Sequence, residues 1–455
     1  MTPQPCDILI ESATVLTVDT DDTVIADGAV AITGADIVAV GDTARLREAY
    51  APRERIDAKG GVVHPGFIDA HIHISQYTSR SVLQRMEAAS VTMGNWKSAL
   101  RPEDEYASAA LATVDYFRAG YTGFVDPGTI FMPDAVAQVA GDFGIRIWLT
   151  DPYVSDRARA LAENQPELVS PSFLKLWPRD LEEALERLGR ELRRNAEPGG
   201  LVHAFVGIYG ADTASPELFR AALDLARRNG VQFQEHRGYS PNAYRAGEAA
   251  GETIAALQEA GALGPGTTFV HMNLVHHGDI ERLAGSGTGI VWCPYSQMRM
   301  ISSEKGRPRM LDLARGGAPV GLATDIPRSV RFDALGTLAH ANAAVCGTPA
   351  TPAEIMRMRT AGAAASVGAG GWTGSIAPGK RADIVLRAPD ASEALGLDPV
   401  WETAILGSAT PPRAVFVNGR CVARDGLPER QEPGAVIERA HASASGLMRR
   451  CGLSN

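Results

Sequence analysis

Val63-His64-Pro65-Gly66-Phe67-Ile68-Asp69-Ala70-His71-Ile72-His73 opens as an apolar strand and ends in two histidines one residue apart. Alternate residues of a strand share a face, so His71 and His73 point the same way. Imidazole is the commonest neutral ligand for zinc and iron. Taken alone, the pair is a weak signal, and two hydrogen-bonded core histidines are the preferred reading.

Outward from this stretch the pattern repeats. Apolar β-like runs fall at 62–68, 121–125, 145–150, 202–208, 231–234, 267–270, 289–292 and 319–323. Helical patterns lie between most of them. Residues 216–229 carry apolar or alanine positions at helical spacing and close on Gly230, and residues 180–195 read as a second, highly charged helix. Eight strands with intervening helices predict a (β/α)8 barrel, whose chemistry sits just past the C-terminal ends of its strands. At those ends stand His71, His73, His236, His271 and Asp325. Three histidines and one aspartate complete a divalent site with a fourth histidine beside it, and a carboxylate on the metal can also accept a proton from water.

Both ends of the chain read differently. Short alternating runs separated by turn residues occupy the first sixty positions, and similar runs return at 382–386 and 414–419. The expected fold is an α/β chain: a (β/α)8 TIM barrel over 63–372, a small β-sandwich built from both termini (1–62 plus 373–434), and a helical tail over 435–455. The 455 residues exceed the roughly 250 a barrel needs.

Composition narrows the function classes. The net charge of -9 repels phosphate, which argues against nucleic acid or an anionic membrane as partner. No apolar run reaches the roughly 18 residues of a membrane helix. The five scattered cysteines form no C-x-x-C pair and, being odd in number, no disulfide framework; a reduced cytoplasm suits them.

The first-strand stretch closely resembles that of the amidohydrolase superfamily, and most closely its mononuclear branch of cytosine, guanine and adenosylhomocysteine deaminases and triazine hydrolases. Gly374-Ser375-Ile376-Ala377-Pro378-Gly379-Lys380-Arg381-Ala382-Asp383-Ile384-Val385 resembles that branch's return into the β-sandwich. Ser215-Pro216 supplies the helix start that precedes the family's fifth strand, and Cys293-Pro294-Tyr295-Ser296-Gln297 is similar to its Pro-x-Ser-Asn, with glutamine for asparagine.

The resemblance implies that His71, His73, His236 and Asp325 ligate one divalent ion, zinc first, with iron, cobalt and manganese behind it. Asp325 would also take the proton of the attacking water. His271 would hydrogen-bond the substrate oxygen or that water, and Tyr209, Tyr239 and Gln297 would touch a small-molecule substrate. A homo-oligomer, at least a dimer, is also implied. Two positions depart from the branch. Tyr239 stands where the deaminases carry a proton-shuttling glutamate, and Ile208-Tyr209-Gly210-Ala211 replaces a Pro-His-x-Pro segment. A phenol, with a reference pKa near 10, is a poor substitute for a carboxylate that cycles protons.

The expected activity is therefore hydrolysis of an amide, carbamate or urea-type C–N bond, or displacement of a leaving group from a heteroaromatic ring. Deamination of a nitrogen heterocycle is the alternative, and an inactive metal-binding scaffold is the alternative of another class. Glu248 and Glu252 are candidates to replace the missing glutamate, though a solvated surface is the better reading of them. Asp126 and Asp151 end strands and either bind substrate or pair locally. Cys293 reads as a structural thiol. Residues 74–101 and 152–195, with Trp96 and Trp177, are expected to cover the pocket.

Overall fold

The computed structural model describes residues 2–164, 166–240, 242, 245, 253–301, 310–388, 398–406 and 410–453. Strands from both ends of the chain share one nine-stranded sheet. Gln4–Leu16 pairs antiparallel with Val24–Thr33 and parallel with Val62–Pro65, which pairs antiparallel with Ile384–Arg387 and so leads to Ala414–Val417. Strand alternation gives each face its own core. Ile10, Val15 and Val30 meet Ile384, Leu386 and Phe416 in one cluster, while Leu9, Ala29 and Ala31 turn the other way under Leu46.

The middle of the chain holds two parallel sheets. One orders Phe67–Asp69, Tyr121–Val125, Arg146–Leu149 and Val202–Ala204; the other orders Val206–Gly210, Phe233–Arg237, Thr267–His271, Gly289–Trp292 and Val320–Leu322. Each of the eight expected runs contains strand. They meet at both edges. At one edge the Phe205 N–H donates to Leu149 O and the Val206 N–H to Gln232 O; at the other, Ala70 donates to Leu322 O and Asp325 to His71 O. Ile68, Val125, Trp148, Val270, Val291 and Ala323 from both sheets pack into a single cluster. Their neighbours Phe67, Phe124, Ile147, Phe269, Ile290 and Leu322 pack outward against helices.

Three expectations are corrected. The run at 62–68 divides at Gly66: Val62–Pro65 belongs to the terminal sheet and Phe67–Asp69 to the parallel one. A Cβ at Gly66 would lie 2.2 Å from the Thr122 side chain, so only glycine lets the strands approach there. The run at 202–208 breaks at Phe205. The helix expected over 180–195 breaks at Gly189, whose φ of 89° ends helix Leu181–Arg187 before the 3-10 turn Arg190–Ala196. Helix Pro216–Asn229 forms as read, with Ser215 Oγ accepting from Leu218 N and Gly230 left-handed at its end.

Terminal and parallel sheets are joined by a buried ion pair. Arg146 donates to both Asp383 oxygens, at 3.0 and 2.8 Å, and Asn418 also accepts from it. Burial pushes the Asp383 carboxyl up, but the Arg146 charge and its hydrogen bonds outweigh that and hold it below the usual range. Its stabilising contribution is present above the unfolded carboxylate pKa, about 3.9, and is lost as pH falls through the lower folded value. Helix Pro433–Arg450 packs its Leu447 and Met448 on Met86 and Trp96, next to the segment that walls the site. All five cysteines are free thiols. Among the described residues, no helix is long and apolar enough to cross a membrane.

Candidate metal centre and its cavity

The first, fifth, sixth and eighth strands bring His71, His73, His236, His271 and Asp325 together. The ring centroids of His71 and His236 are 4.7 Å apart, those of His71 and His73 5.1 Å, and those of His236 and His271 5.5 Å. His73 Nε2 lies 3.0 Å and His71 Nε2 3.6 Å from Asp325 Oδ1. The donor atoms of His71, His73 and His236 lie within 4.8 Å of one another, as do those of His71, His271 and Asp325. His271 and Asp325 have φ of 79° and 59°, left-handed values that non-glycine residues rarely adopt. Strain of this kind collects at functional sites.

Outer contacts aim these groups. His236 Nδ1 donates to the Tyr209 carbonyl, which leaves Nε2 facing the cluster. His73 Nδ1 meets Thr129 Oγ1 at 2.9 Å. Asp126 accepts from the N–H groups of Thr129 (2.7 Å) and Ile74 (3.1 Å), fixing the loop that carries Thr129. Ser296 Oγ donates to Asp325 Oδ2. Asp69 accepts from Thr324 N at 2.9 Å and from Tyr116 OH at 2.8 Å, tying the first strand to the eighth.

Burial sets the charges. It drives the His71 and His236 imidazoles well below their usual pKa, with neighbouring histidines adding to the effect, and takes His271 to about 4. All three are neutral at pH 7, with lone pairs available. Burial pushes Asp325 up, but the His73 hydrogen bond and the surrounding imidazoles outweigh it and hold the carboxyl well below its usual range. Both ring nitrogens of His71, Nε2 of His236 and Nδ1 of His271 are buried without a hydrogen-bond partner. Such atoms are costly unless something else satisfies them. A divalent cation would take one His71 nitrogen and His236 Nε2, and with His73 and one Asp325 oxygen this donor set fits zinc; His271 Nδ1 would be left for water or substrate.

The cluster lies at the base of a cavity of about 420 Å³, which His73, His236, His271 and Asp325 help to line. Residues from both expected covering segments wall it, including Met93 and Lys97 from one and Leu161 and Phe173 from the other. Trp96 and Trp177 are buried behind that wall. Tyr209 and Tyr239 line the cavity, but Tyr239 OH donates to Asp212 at 2.7 Å. Gln297 is corrected: it does not line the cavity. Helix Pro294–Ile301 turns its Oε1 toward Trp292 Nε1 (2.8 Å) and Asn342 Nδ2 (2.7 Å).

Asp151 accepts from Gly189 and Glu191 N–H groups and serves the break between those helices. Glu235 pairs with Arg237 at 2.6 Å. Burial raises the Cys293 thiol far above its usual pKa, as an inert thiol requires. Glu248 and Glu252 lie outside the described residues. Thr129, Asp212 and Lys97 escaped the sequence reading because all three sit in loops or a short helix with no motif around them. Ser296 did carry a signal, inside the stretch that follows the seventh strand.

Thr129→Val removes the hydroxyl that orients His73 and keeps the side-chain shape. The loss expected is about 10–100-fold in metal affinity, measured by competition with a chelating dye. An unchanged affinity removes Thr129 from the site.

The family model described as amidohydrolase family matches residues 62–422. A 5-methylthioadenosine/S-adenosylhomocysteine deaminase from Pelotomaculum thermopropionicum is 31% identical over 395 residues, which cover 83% of this chain and 84% of the relative. An 8-oxoguanine deaminase from Pseudomonas aeruginosa is 27% identical over 416 residues, 87% of this chain and 89% of the relative. Two solved structures share the fold. One is an adenosine deaminase from Xanthomonas campestris with bound zinc (TM-score 0.80, 21% identity, 98% of this chain and 100% of that one). The other is a mutant atrazine chlorohydrolase from Arthrobacter aurescens complexed with zinc and atraton (TM-score 0.80, 22% identity, 96% and 100%). The matched span contains every strand that carries His71, His73, His236, His271 and Asp325, and this chain belongs to the amidohydrolase family.

Proposed function

We propose that the chain is a zinc-dependent hydrolase of a small molecule, cleaving a non-peptide C–N bond or displacing a leaving group from a heteroaromatic ring. The observation that carries this is the cluster of neutral, buried, unpartnered imidazoles and one ionised carboxylate at the base of a ligand-sized cavity. The scaffold we infer is a (β/α)8 barrel over 63–372, a β-sandwich from 1–62 plus 373–434, and a helical tail over 435–455. The two parallel sheets that meet at both edges support the barrel. The apolar cluster shared by strands of both termini supports the sandwich.

His71, His73, His236 and Asp325 would hold one divalent ion, zinc ahead of iron, cobalt and manganese, since ligand type alone suits several. Such an ion acidifies a water and polarises the carbon under attack. Asp325 accepts the water's proton, and Ser296 keeps its second oxygen in place. His271 hydrogen-bonds the oxygen on which charge develops. Tyr209 sets the pose of His236 through its carbonyl and offers its ring to the substrate. Tyr239 shapes the wall, with its hydroxyl committed to Asp212. The expectations of a homo-oligomer and a cytoplasmic enzyme rest on the resemblance and the thiol pattern.

The deaminase reading has the deaminase relatives behind it and one observation of the site. The Asp212 carboxylate stands one hydrogen bond behind Tyr239, so the pair could relay a proton to a leaving nitrogen. Zinc-loaded protein assayed on amino-, alkylamino-, alkoxy- and chloro-substituted heteroaromatics and on amides, scored for ammonia, amine and chloride release, separates the readings. Hydrolysis without ammonia is expected, with Tyr239→Phe losing about tenfold for one hydrogen bond. Ammonia as product, with a Tyr239→Phe loss of about 10² to 10⁴ at intact fold and metal, would replace this reading with the deaminase. Full metal content with no turnover on any member would favour the scaffold.

A further inference from the structure

The cavity that holds the histidines is also lined by cations, in a chain whose net charge is -9. Lys97, Arg245, Arg299 and Arg328 line it, and Asp325 is the one carboxylate among its described lining residues. Lys97 is the deepest of these cations, 5% exposed. Its ammonium donates to Thr129 O at 3.3 Å and to the Tyr153 hydroxyl, and lies over the Tyr153 ring at 5.1 Å. Both oxygens are neutral, and Lys97 forms no ion pair among the described residues.

The carboxylates that act on Lys97 are Asp126, Glu105 and, in the metal cluster, Asp325, and none forms an ion pair with it among the described residues. Glu105 accepts from the Phe131 and Met132 N–H groups at 2.8 and 2.7 Å, and Asp126 accepts from Thr129 and Ile74. An ammonium has three donors, so one remains for the cavity. Thr129 touches both Lys97, through its carbonyl, and His73, through its hydroxyl, which places this cation one residue from the metal cluster. Arg328 lines the same cavity, close enough for its charge to act on Lys97, and its guanidinium donates to Gln76 Oε1.

We propose that Lys97 and Arg328 form a subsite for a carboxylate carried by the substrate, so that the molecule cleaved at the metal is an organic anion. This rests on reading the cavity as the substrate site. Burying an ammonium whose hydrogen bonds go only to neutral oxygens is costly, and an anion in direct contact with it recovers part of that cost. Burial lowers the Lys97 pKa to about 7, against the pull of Asp126 and Glu105; a bound carboxylate would shift it back up and keep the lysine charged.

Calorimetry on the zinc-loaded protein with matched pairs, orotate against uracil and nicotinate against nicotinamide, tests this without turnover. In at least one pair the carboxylated twin is expected to bind about 10–100-fold more tightly, as charged hydrogen bonds allow. Lys97→Met and Arg328→Gln should each bring the twins within a few-fold, at unchanged zinc content and melting temperature. A preference that survives both substitutions belongs to the metal and overturns the proposal. So does equal binding of the twins, no binding by any carboxylated twin, or inorganic phosphate binding as tightly as they do. Release of ammonia or amine is scored separately. A preference without release leaves the subsite standing while the hydrolase reading falls, and release from neutral compounds without a preference does the reverse.

Discussion

Asp325→Asn lowers turnover by about 10² to 10⁴, the range of a lost general base, and leaves the protein folded. Asp325 is buried, close to His71 and His73, and hydrogen-bonded by Ser296. The His73 hydrogen bond and the surrounding imidazoles hold its pKa well below the usual range, so at pH 7 it is ionised and able to accept a proton. Asparagine keeps the shape and one oxygen for a metal, but it cannot take a proton and it removes one negative charge beside a divalent ion. Rates on the compound found in the release panel, with metal analysis and a melting curve, give the outcome. Near-native turnover at normal metal content would mean that another group is the base.

His236→Ala should cost metal affinity far more than the about 10–100-fold expected when an outer-shell partner is removed. The imidazole is held from behind by the Tyr209 carbonyl, and its Nε2 has no partner but the cluster. Alanine removes the ligand outright and leaves the other histidines without a complete set. The same variant should lose the chelator's effect on melting. In the native chain, stripping the metal removes the stabilisation that binding gives the folded state, whereas His236→Ala has little to lose. Full metal content in the variant, with full activity, would assign the fifth-strand ligand to another residue.

The ends of strands were legible because two periodicities coincide there. An apolar run at strand spacing announces the strand, and the polar residue that closes it is the one presented at the mouth of the parallel sheets. His236, His271 and Asp325 were found this way, and the alternation rule put His71 and His73 on one face. Residues that act across long loops were not legible. Thr129 reaches His73 across 56 positions and Asp212 reaches Tyr239 across 27, and neither stands in a pattern that marks it. Gln297 was read from its place after the seventh strand, but a helical turn there rotates the side chain toward Trp292 and Asn342. The terminal strands were visible as alternating runs. That they form one small domain was expected, but their pairing was not, because Val62–Pro65 meets Ile384–Arg387 across more than three hundred residues. Gly66 and Gly189 mark two of the three breaks that periodicity missed, one for want of room and one through its left-handed backbone; the third falls at Phe205.

The central claim is that these strand ends hold one metal ion. Anomalous diffraction at the zinc edge, from crystals of zinc-loaded protein, tests it most directly. A single strong peak per chain is expected, ligated by His71, His73, His236 and Asp325 at about 2.0–2.2 Å. A metal-replete protein whose peak lies among other residues, or that shows none between these four, would contradict it.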